Sequence, residues 1–436
     1  MLLLHMLLYQ LSLILGKLAI SDIPYILEFF QIGDQEIYIY GAFWDYRNLG
    51  VGHPPYIRVL LIGPFMNFYQ LLRQTPAEYY YSDYNSTVTK SNAPIYVNPE
   101  AAADDGGRKF VLCRPYYAYY KPPNLDQTAP KAIVLKIPGY DKLVDATGNK
   151  REWLIPIRGE YKKDFDYNEA LHPTKRVPAK RLMACVRPMY GGAYLRLDLL
   201  LNFLVYMWTM GTNHFVFFDA GSASPIVYEL WKAAEKVGIS IEILPWQYRR
   251  WGGWQSHQTM VNELCAHKAM MDGYENMLAI DIDELIVPIV SGNINWNNNL
   301  PPLVNLLDYL DHSNPMAAMY CFWDLTFPAP SQDAYPLRRS ELLYLHRKMH
   351  DPPLHQVEKC ICKPYRIHSL NIHRGKPISR EYDIVTVPDD IAMKHHYRDV
   401  SRSNTPATVR YEVPSHFQYL LLNSTTYREL LNEWRS

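Results

Sequence analysis

The sequence predicts an α/β protein in which a mostly parallel, mixed sheet flanked by helices follows a smaller β-rich domain. From about residue 176 onward, apolar strand-like runs alternate with helical periods, the pattern of parallel strands joined by right-handed crossovers. Before that point the apolar runs are short and separated by proline, glycine and Asn/Asp turns, without a long helical period. At 436 residues the chain is also long enough for two domains.

The N-terminal segment is apolar. Its first sixteen residues, MLLLHMLLYQLSLILG, fit a signal-peptide core slightly better than a spanning helix, which needs about 20 apolar residues. We therefore predict a signal peptide or signal anchor over residues 1–20, with an ordinary core helix as the alternative. Sequons at Asn85 and Asn423 and an even set of six cysteines agree with an oxidising secretory route.

Residues 21–175 are predicted to form the β-rich domain and a connecting segment. Its strand candidates include EIYIYGAFWDY, YIRVLLIG, RKFVLCRPYYAYY and KAIVLKIP, and a charged, proline-bearing stretch follows them. Tyrosine is frequent, at 35 residues, and packing within sheets explains most of these rings.

Residues 176–436 are predicted to form the α/β domain. The strand candidates RLMACVRPMY, HFVFF and ISIEILPW each precede a helical period. Gly211 and Gly238 follow the first two helices, and Ser224 with Pro225 begins the second. The third helix, SHQTMVNELCAHKAMMDG, leads into a fourth strand.

The charge balance argues against a nucleic-acid partner. Lys plus Arg and Asp plus Glu both number 44, giving a net charge of zero, whereas binding to a polyanion requires a basic surface.

The fourth strand ends in a cluster of carboxylates. In MLAIDIDELIVP, residues 277–288, an apolar run is followed by Asp281, Asp283 and Glu284. Burying an unpaired carboxylate costs several kcal/mol, so we expect a cation there. The two aspartates can converge on Mg²⁺ or Mn²⁺, which prefer oxygen ligands and keep positions for substrate phosphates. Ligands of such sheets bind beyond the carboxyl ends of the strands. A metal there would offset the charge on a leaving phosphate, so the implied chemistry is transfer of a group away from a diphosphate.

The D-x-D pattern alone is a weak indicator. Two aspartates with this spacing often cap loops or lie in solvent. Phosphatases that form an aspartyl-phosphate also use D-x-D, but there the pair follows the first strand. Here it follows about the fourth strand of its domain, with Glu284 next.

A succession of motifs resembles glycosyltransferase family 92. The motifs are EIYIYGAFWDYR (36–47), CVRPMYG (185–191), MGTNHFVFFDAGSAS (210–224), HQTMVNELC (257–265), AIDIDELIVP (279–288), CICKPYRIHSLNIHRG (360–375) and HHYR (395–398). The resemblance implies a GT-A fold, dependence on Mn²⁺ (or Mg²⁺), a UDP-sugar donor that is typically UDP-galactose, and inverting transfer that forms a β-galactoside on a glycan. It further implies Golgi or other secretory membrane localisation with a lumenal catalytic domain, and secretion is the alternative. A catalytically inactive, lectin-like family member is the alternative function.

The resemblance also assigns metal ligands. Asp281 and Asp283 match the family's metal and nucleotide motif. A late histidine commonly completes the site in this fold; His396 is the first choice and His373 the second, and a surface or core role is the alternative for either.

Donor contacts follow from the same resemblance. Arg187 and Tyr190, at the end of the first strand, are expected to meet uracil and phosphate, although a salt bridge is an equal alternative for the arginine. Asp219 is expected at the ribose or base. Gln258 and Asn262, one helical turn apart, are expected at the donor sugar, with a solvent-facing edge as the alternative.

Inverting transfer needs a carboxylate that takes the proton of the acceptor hydroxyl. We predict Asp324 in YCFWDLTF, with Trp323 stacking on the acceptor sugar and Glu284 as the competing base. One departure from the family pattern is Glu263-Leu264 before the helix cysteine, where Asn-Asp is usual.

Overall fold

The computed structural model describes two compact units. The first comprises Met1–Phe165 with Arg249–Ser256, and the second comprises Asp166–Tyr248 with His257–Ser436. The described residues are 27–32, 35–50, 54–64, 68–81, 89–90, 93–99, 113–123, 129–137, 155–189, 197–219, 223, 225–246, 254–289, 297, 299–327, 354–397, 428–430 and 432. The predicted signal segment and both sequons lie outside them, and no helix within them is long and apolar enough to span a membrane.

The first unit is β-rich, as predicted. Its elements are β1 (Leu27–Ile32), β2 (Gln35–Asp45), β3 (Tyr56–Pro64), α1 (Phe68–Arg73), β4 (Ala77–Tyr80), β5 (Thr89–Lys90), β6 (Tyr96–Pro99), β7 (Cys113–Tyr120), β8 (Ala132–Leu135) and β9 (Ile155–Arg158). The strands pair in the order β5-β4-β8-β9-β2-β3-β7-β6, with β1 also on β2, and only β2 and β9 run parallel. Many of its tyrosine side chains lie in the core; Tyr116, Tyr117 and Tyr120 on β7, for example, are fully buried.

The second unit alternates strands and helices. Its elements are α2 (Tyr167–Leu171), β10 (Leu182–Met189), α3 (Leu197–Met210), β11 (His214–Asp219), α4 (Pro225–Lys236), β12 (Ile241–Pro245), α5 (Trp254–Asp272), β13 (Asn276–Ile280), β14 (Glu284–Pro288), α6 (Pro302–Ser313), β15 (Ala317–Phe327), β16 (Leu354–Cys362), β17 (Ile367–Leu370), β18 (Gly375–Pro377), β19 (Asp383–Thr386) and β20 (Ala392–Tyr397). Short 3₁₀ turns occupy Pro178–Lys180 and Pro364–Arg366.

Nine strands of this unit form one mixed sheet, which confirms the predicted α/β class. The order is β12-β11-β10-β13-β16-β15-β20-β14, and β19 also pairs with β15. Strands β12, β11, β10 and β13 are mutually parallel, so their carboxyl ends share one edge. The other half contains antiparallel pairs, among them β13 with β16 and β14 with β20.

Gly211 ends α3 as the sequence predicts. Its φ of +112° lies in a region that side chains rarely adopt, and a Cβ there would come 2.7 Å from Pro301. Glycine is therefore needed here both to end α3 and to let the chain pass close to Pro301.

Two disulfides brace the second unit. Cys185 on β10 pairs with Cys265 on α5, and Cys321 on β15 pairs with Cys360 directly opposite on β16. Cys362 is a buried free thiol, and its burial raises the pKa to about 12.

Candidate active site

The Asp281–Asp283 segment is a short turn between β13 and β14 at the carboxyl edge of the parallel strands. Ile282 between the aspartates is buried, and the two carboxylate side chains are each 30% exposed. Two hydrogen bonds close the turn: Glu284 N donates to Asp281 O at 3.1 Å, and Asp281 N donates to Glu284 Oε2 at 3.2 Å. The buried isoleucine thus fixes the turn while both aspartates reach the surface.

Strand β20 brings His396 to this turn. His396 lies opposite Glu284 in the antiparallel pair of β14 and β20, and Tyr397 N donates to Asp283 O at 2.7 Å. The imidazole Nε2 is 3.4 Å from Asp283 Oδ2, while Nδ1 is 3.6 Å from Asp324 Oδ2. The first-choice histidine therefore lies beside one of the two predicted metal ligands.

Two buried lysines neutralise the carboxylates from inside. Lys359 Nζ is 3.2 Å from Asp281 Oδ2 and 3.1 Å from Glu284 Oε2. Lys394 Nζ is 2.9 Å from Glu284 Oε1 and 3.3 Å from Asp324 Oδ1. Because burial of an unpaired charge is costly, this network of salt bridges explains how so many carboxylates can lie at and beneath the acidic turn.

The charges set the protonation states. Burial alone would raise the pKa of Glu284, but Lys359 and Lys394 hold it well below its usual value. The pKa of Asp324 is also lowered, because its contacts with His396 and Lys394 outweigh the opposing effect of burial. Burial would lower the pKa of His396, yet Asp283 and Asp324 raise it to about 9. Without a metal the imidazole is cationic at neutral pH.

Both predicted bases are inside the protein. Asp324 is fully buried and Glu284 is 1% exposed. A base must reach the hydroxyl whose proton it accepts, so the predicted role requires a rearrangement that exposes one of them. In the arrangement described here, both carboxylates face Nδ1 of His396.

Arg187 lies on β10 next to the acidic turn. Its Nη1 is 3.0 Å from Asp281 Oδ2, and its Nη2 donates to Ile372 O at 2.9 Å. This is the salt bridge considered as the alternative for this arginine, and it holds Asp281 at the sheet edge. Tyr190, its predicted companion, lies outside the described residues.

Asp219 ends β11 at the same edge. In the ladder it faces Met189 of β10 and Pro245 of β12. Its Oδ2 accepts a hydrogen bond from the Tyr228 hydroxyl, and its backbone oxygen accepts one from Trp246 N at 2.7 Å. Asp219 is thus fixed on the strand next to the one that carries Arg187.

Gln258 and Asn262 are buried on α5 rather than exposed at an edge. Asn262 Nδ2 donates to Asn371 O at 2.9 Å, so it holds the segment after β17. Glu263, where the family usually has asparagine, accepts from Leu370 N at 2.5 Å. These contacts attach α5 to the segment that also receives Arg187.

His373, the second-choice ligand, lies in the turn between β17 and β18 with an exposed side chain. The structure thus brings His396, and not His373, into ion-pair distance of Asp283.

The Asp283 and His396 side chains suit a divalent cation. Neighbouring ligands of an octahedral ion at about 2.1 Å are about 3 Å apart, close to the observed Nε2–Oδ2 separation. A carboxylate behind the second ring nitrogen, here Asp324, is the usual support of a metal-binding histidine. Asp281 Oδ2 already meets two cations, which leaves Oδ1 for an ion. Across the described part of the chain no preformed group of three or more metal-type ligands is present.

Comparison with known sequences decides the family. The profile of glycosyltransferase family 92 matches residues 180–431, more than half of the 436-residue chain. The chain belongs to glycosyltransferase family 92. The matched region includes both aspartates of the turn, both buried lysines and His396, and the mixed sheet agrees with the GT-A-like α/β fold expected of this glycosyltransferase.

Solved structures add little to this assignment. A protein assigned as a glucose-1-phosphate thymidylyltransferase from Bacillus anthracis shares 7% identity at a TM-score of 0.23, covering 42% of this chain and 71% of its own. S. aureus TarS shares 11% identity at a TM-score of 0.23, covering 58% and 71%. TM-scores this low establish no shared fold. No curated protein matches the chain.

Sequence reasoning missed Lys359 and Lys394. Lys359 stands in EKCIC and Lys394 in AMKHHY, segments that mix apolar and polar residues, so neither reads from the sequence as a buried strand. Lysine is almost never fully buried without a partner, and the partners of these two lysines become apparent only in the folded sheet.

Proposed function

We propose that this family 92 glycosyltransferase moves galactose from UDP-galactose to a glycan acceptor with inversion, giving a β-linkage. The observation that carries the proposal is the contact between Asp283 and His396 at the carboxyl edge of the parallel strands. Nucleotide ligands of open α/β sheets bind at this edge, and Arg187 and Asp219 end neighbouring strands there. The choice of galactose rests on the family resemblance.

Asp283, His396 and Asp281 would hold Mn²⁺ (or Mg²⁺). Such an ion, when bound, offsets the charge that develops on the leaving diphosphate. Asp324 and Glu284 hold the ring of His396 through Nδ1, so that Nε2 points toward Asp283. Lys359 and Arg187 fix Asp281 from two sides.

Donor binding is proposed to use the ends of β10 and β11. Arg187 reaches Asp281 with one nitrogen and the Ile372 carbonyl with another, so its guanidinium is held at the edge where a phosphate would lie. Asp219, held by Tyr228, is available for a ribose hydroxyl. Asn262 acts through the segment after β17, since it binds the Asn371 carbonyl, and Gln258 is buried on the same helix.

The proposed location is the lumen of the Golgi or another secretory compartment, reached through the N-terminal segment. The two disulfides support this location, because such bonds persist in oxidising compartments.

The direct test is release of UDP from a panel of UDP-sugars, with and without a glycan array, in Mn²⁺ and in EDTA. We expect UDP-galactose to be the preferred donor, release to accelerate with an acceptor, and EDTA to abolish it. Glycan binding that persists in EDTA, without UDP release from any donor, would instead favour the lectin-like alternative.

A further inference from the structure

A short turn, residues 371–374, joins β17 to β18 next to Arg187. Asn371 N donates to Arg374 O at 2.9 Å, which closes the turn. On either side of it, Leu370 and Gly375 face each other in the antiparallel pair. The 371–374 turn thus has an internal hydrogen bond and a paired strand at each end.

The side chain of Asn371 fixes the next peptide group. Its Oδ1 accepts from Ile372 N at 2.7 Å and from the Thr259 hydroxyl of α5 at 3.2 Å. Since a main-chain N–H can only donate, the side-chain atom that it meets must be the amide oxygen. The main-chain oxygen of Asn371 accepts from Asn262 Nδ2 at 2.9 Å. Both polar groups of the planar peptide unit between Asn371 and Ile372 are therefore bonded, which sets the orientation of this plane.

One turn of α5 supplies these contacts. Thr259, Asn262 and Glu263 lie close together on the helix, and all three are buried. Glu263 Oε1 also accepts from Leu370 N at 2.5 Å, immediately before the 371–374 turn. The helix therefore holds both the end of β17 and the residues that follow it.

A disulfide joins the same helix to β10. Cys265 lies three residues after Asn262 on α5, and its partner Cys185 lies two residues before Arg187 on β10. The helix that holds the 371–374 turn is thus connected covalently to the strand that carries Arg187.

The Ile372 carbonyl is where the turn meets the proposed transfer site. It accepts from Arg187 Nη2 at 2.9 Å, while Nη1 of the same guanidinium is 3.0 Å from Asp281 Oδ2. Val186 and Ile280 are paired in the parallel ladder, so Arg187 and Asp281 follow at the same level of the sheet. Because the guanidinium is planar, bonds at both Nη atoms fix its orientation beside Asp281.

We propose that Asn371 is a positioning residue of the transfer site, acting through Ile372 and Arg187 on Asp281. This role rests on the proposed function, in which Asp281 holds a divalent cation and Arg187 lies where the diphosphate of the donor binds. Asn371 keeps the Ile372 carbonyl in place, the carbonyl holds Arg187, and Arg187 holds Asp281. The motif HQTMVNELC on α5 anchors this chain of contacts.

The first test is UDP binding in Mn²⁺, measured by calorimetry on the full-length chain, on Asn371→Leu, on Arg187→Gln and on the double variant. Each single substitution should raise Kd about tenfold, the loss typical of a charge-assisted hydrogen bond. If Asn371 acts through Arg187, the double variant should bind UDP no more weakly than Arg187→Gln alone. Effects that multiply in the double variant, or an unchanged Kd in Asn371→Leu, overturn the proposal.

Amide hydrogen exchange tests the same contacts without donor or metal. Glu284 N donates to Asp281 O and closes the acidic turn, so loosening of Asp281 should expose this amide to exchange. Exchange at Glu284 should be at least about fivefold faster in Asn371→Leu and in Arg187→Gln, the effect of one lost hydrogen bond. Failure of the parent chain to bind UDP would contradict the proposed function, whereas unchanged exchange at Glu284 in Asn371→Leu overturns the positioning role itself.

A second variant and a control complete the test. Thr259→Val removes the hydroxyl that donates to Asn371 Oδ1 and nearly keeps the shape of the side chain; it replaces Asn371→Leu, with the same deciding outcomes, if that variant fails to fold. The matched control is Asn314→Leu, which removes the bond from Asn314 Nδ2 to Leu310 O at the end of α6. It should leave UDP binding and exchange at Glu284 unchanged, and effects equal to those of Asn371→Leu would overturn the proposal.

Discussion

Glu284 and His396 lie opposite each other in the antiparallel pair of β14 and β20. This register carries the imidazole to Asp283 on one side and to Asp324 on the other. Strand β20 is more than a hundred residues beyond the acidic turn in sequence, so the site is assembled by the sheet rather than by one local motif. The proposed metal chemistry depends on this pairing.

Asp283→Ala should abolish UDP release while leaving the fold intact. The variant loses a proposed metal ligand whose side chain is 30% exposed, so cation binding should weaken while the hydrophobic core is unchanged. We expect at least about a 100-fold drop in kcat/KM, because metal stabilisation of the leaving group is worth several kcal/mol. Circular dichroism and thermal unfolding check the fold.

The matched control is Asp389→Ala, which removes an exposed aspartate between β19 and β20. Undiminished turnover in Asp283→Ala would remove the metal assignment.

Asp324→Asn separates a positioning role from a role as base. If Asp324 holds His396, the Mn²⁺ concentration for half-maximal activity should rise about 10–100-fold, and excess Mn²⁺ should restore turnover. If Asp324 is the base, turnover should be lost at every Mn²⁺ concentration while calorimetry still detects UDP-sugar binding. From the burial of the carboxylate we expect the first result. Loss of donor binding at saturating Mn²⁺ would contradict both roles.

Lys394→Met should destabilise the fold strongly. The lysine is fully buried between Glu284 and Asp324, and its removal leaves two buried carboxylates short of a cation. We expect the free energy of unfolding, measured in urea, to fall by about 3–5 kcal/mol. Adding Asp324→Asn to this variant should recover part of the lost unfolding free energy, since it removes one of the two buried carboxylates that have lost their cation.

The exposed pair of Lys232 and Glu229 provides the comparison for Lys394. Lys232→Ala should change the free energy of unfolding by no more than about 0.5 kcal/mol. Equal effects of the two lysine substitutions would mean that the buried pairs contribute no more than a surface pair.

Asp311 should contribute to stability at neutral pH and lose that contribution in acid. Burial opposes ionisation, but Lys363 and the Tyr320 hydroxyl lower the pKa below its usual value. Because the folded pKa is the lower one, the contribution is complete above the unfolded value of about 3.9 and disappears as pH falls through the folded value. Asp311→Asn should therefore be less stable at pH 6, and its difference from the parent chain in urea unfolding should shrink as pH falls below about 4. A constant difference across this range would contradict the assignment.

The parallel half of the sheet was predictable because its order follows simple rules. Strands β10, β11 and β12 are apolar runs that each precede a helical period, the third helix leads into β13, and the crossover rule places the carboxyl ends of all four strands at one edge. The acidic turn after β13 was therefore expected at a binding edge from the sequence alone. The preference for His396 came from the family resemblance, and the register of β20 was not deducible.

The half of the sheet that mixes parallel and antiparallel pairs could not be predicted in the same way. Strands β16, β15, β20 and β14 pair out of chain order, so no local pattern reveals which side chains meet. Lys359 reaches Asp281 across 78 residues, and Lys394 reaches Glu284 across 110. Burial of Asn262 was not deducible for a similar reason: the segment that it contacts follows β17, and only the folded chain brings that segment to α5.

The salt-bridge network around Lys359 and Lys394 makes the acidic edge electrically neutral. Four carboxylates, on Asp281, Asp283, Glu284 and Asp324, face four cationic groups, on Arg187, Lys359, Lys394 and protonated His396. Before a metal binds, the diphosphate of the proposed donor would therefore meet little net charge at this edge. A bound divalent cation, with His396 deprotonated as its ligand, would change this balance from zero to one positive charge, so the metal itself would attract the diphosphate of the proposed donor.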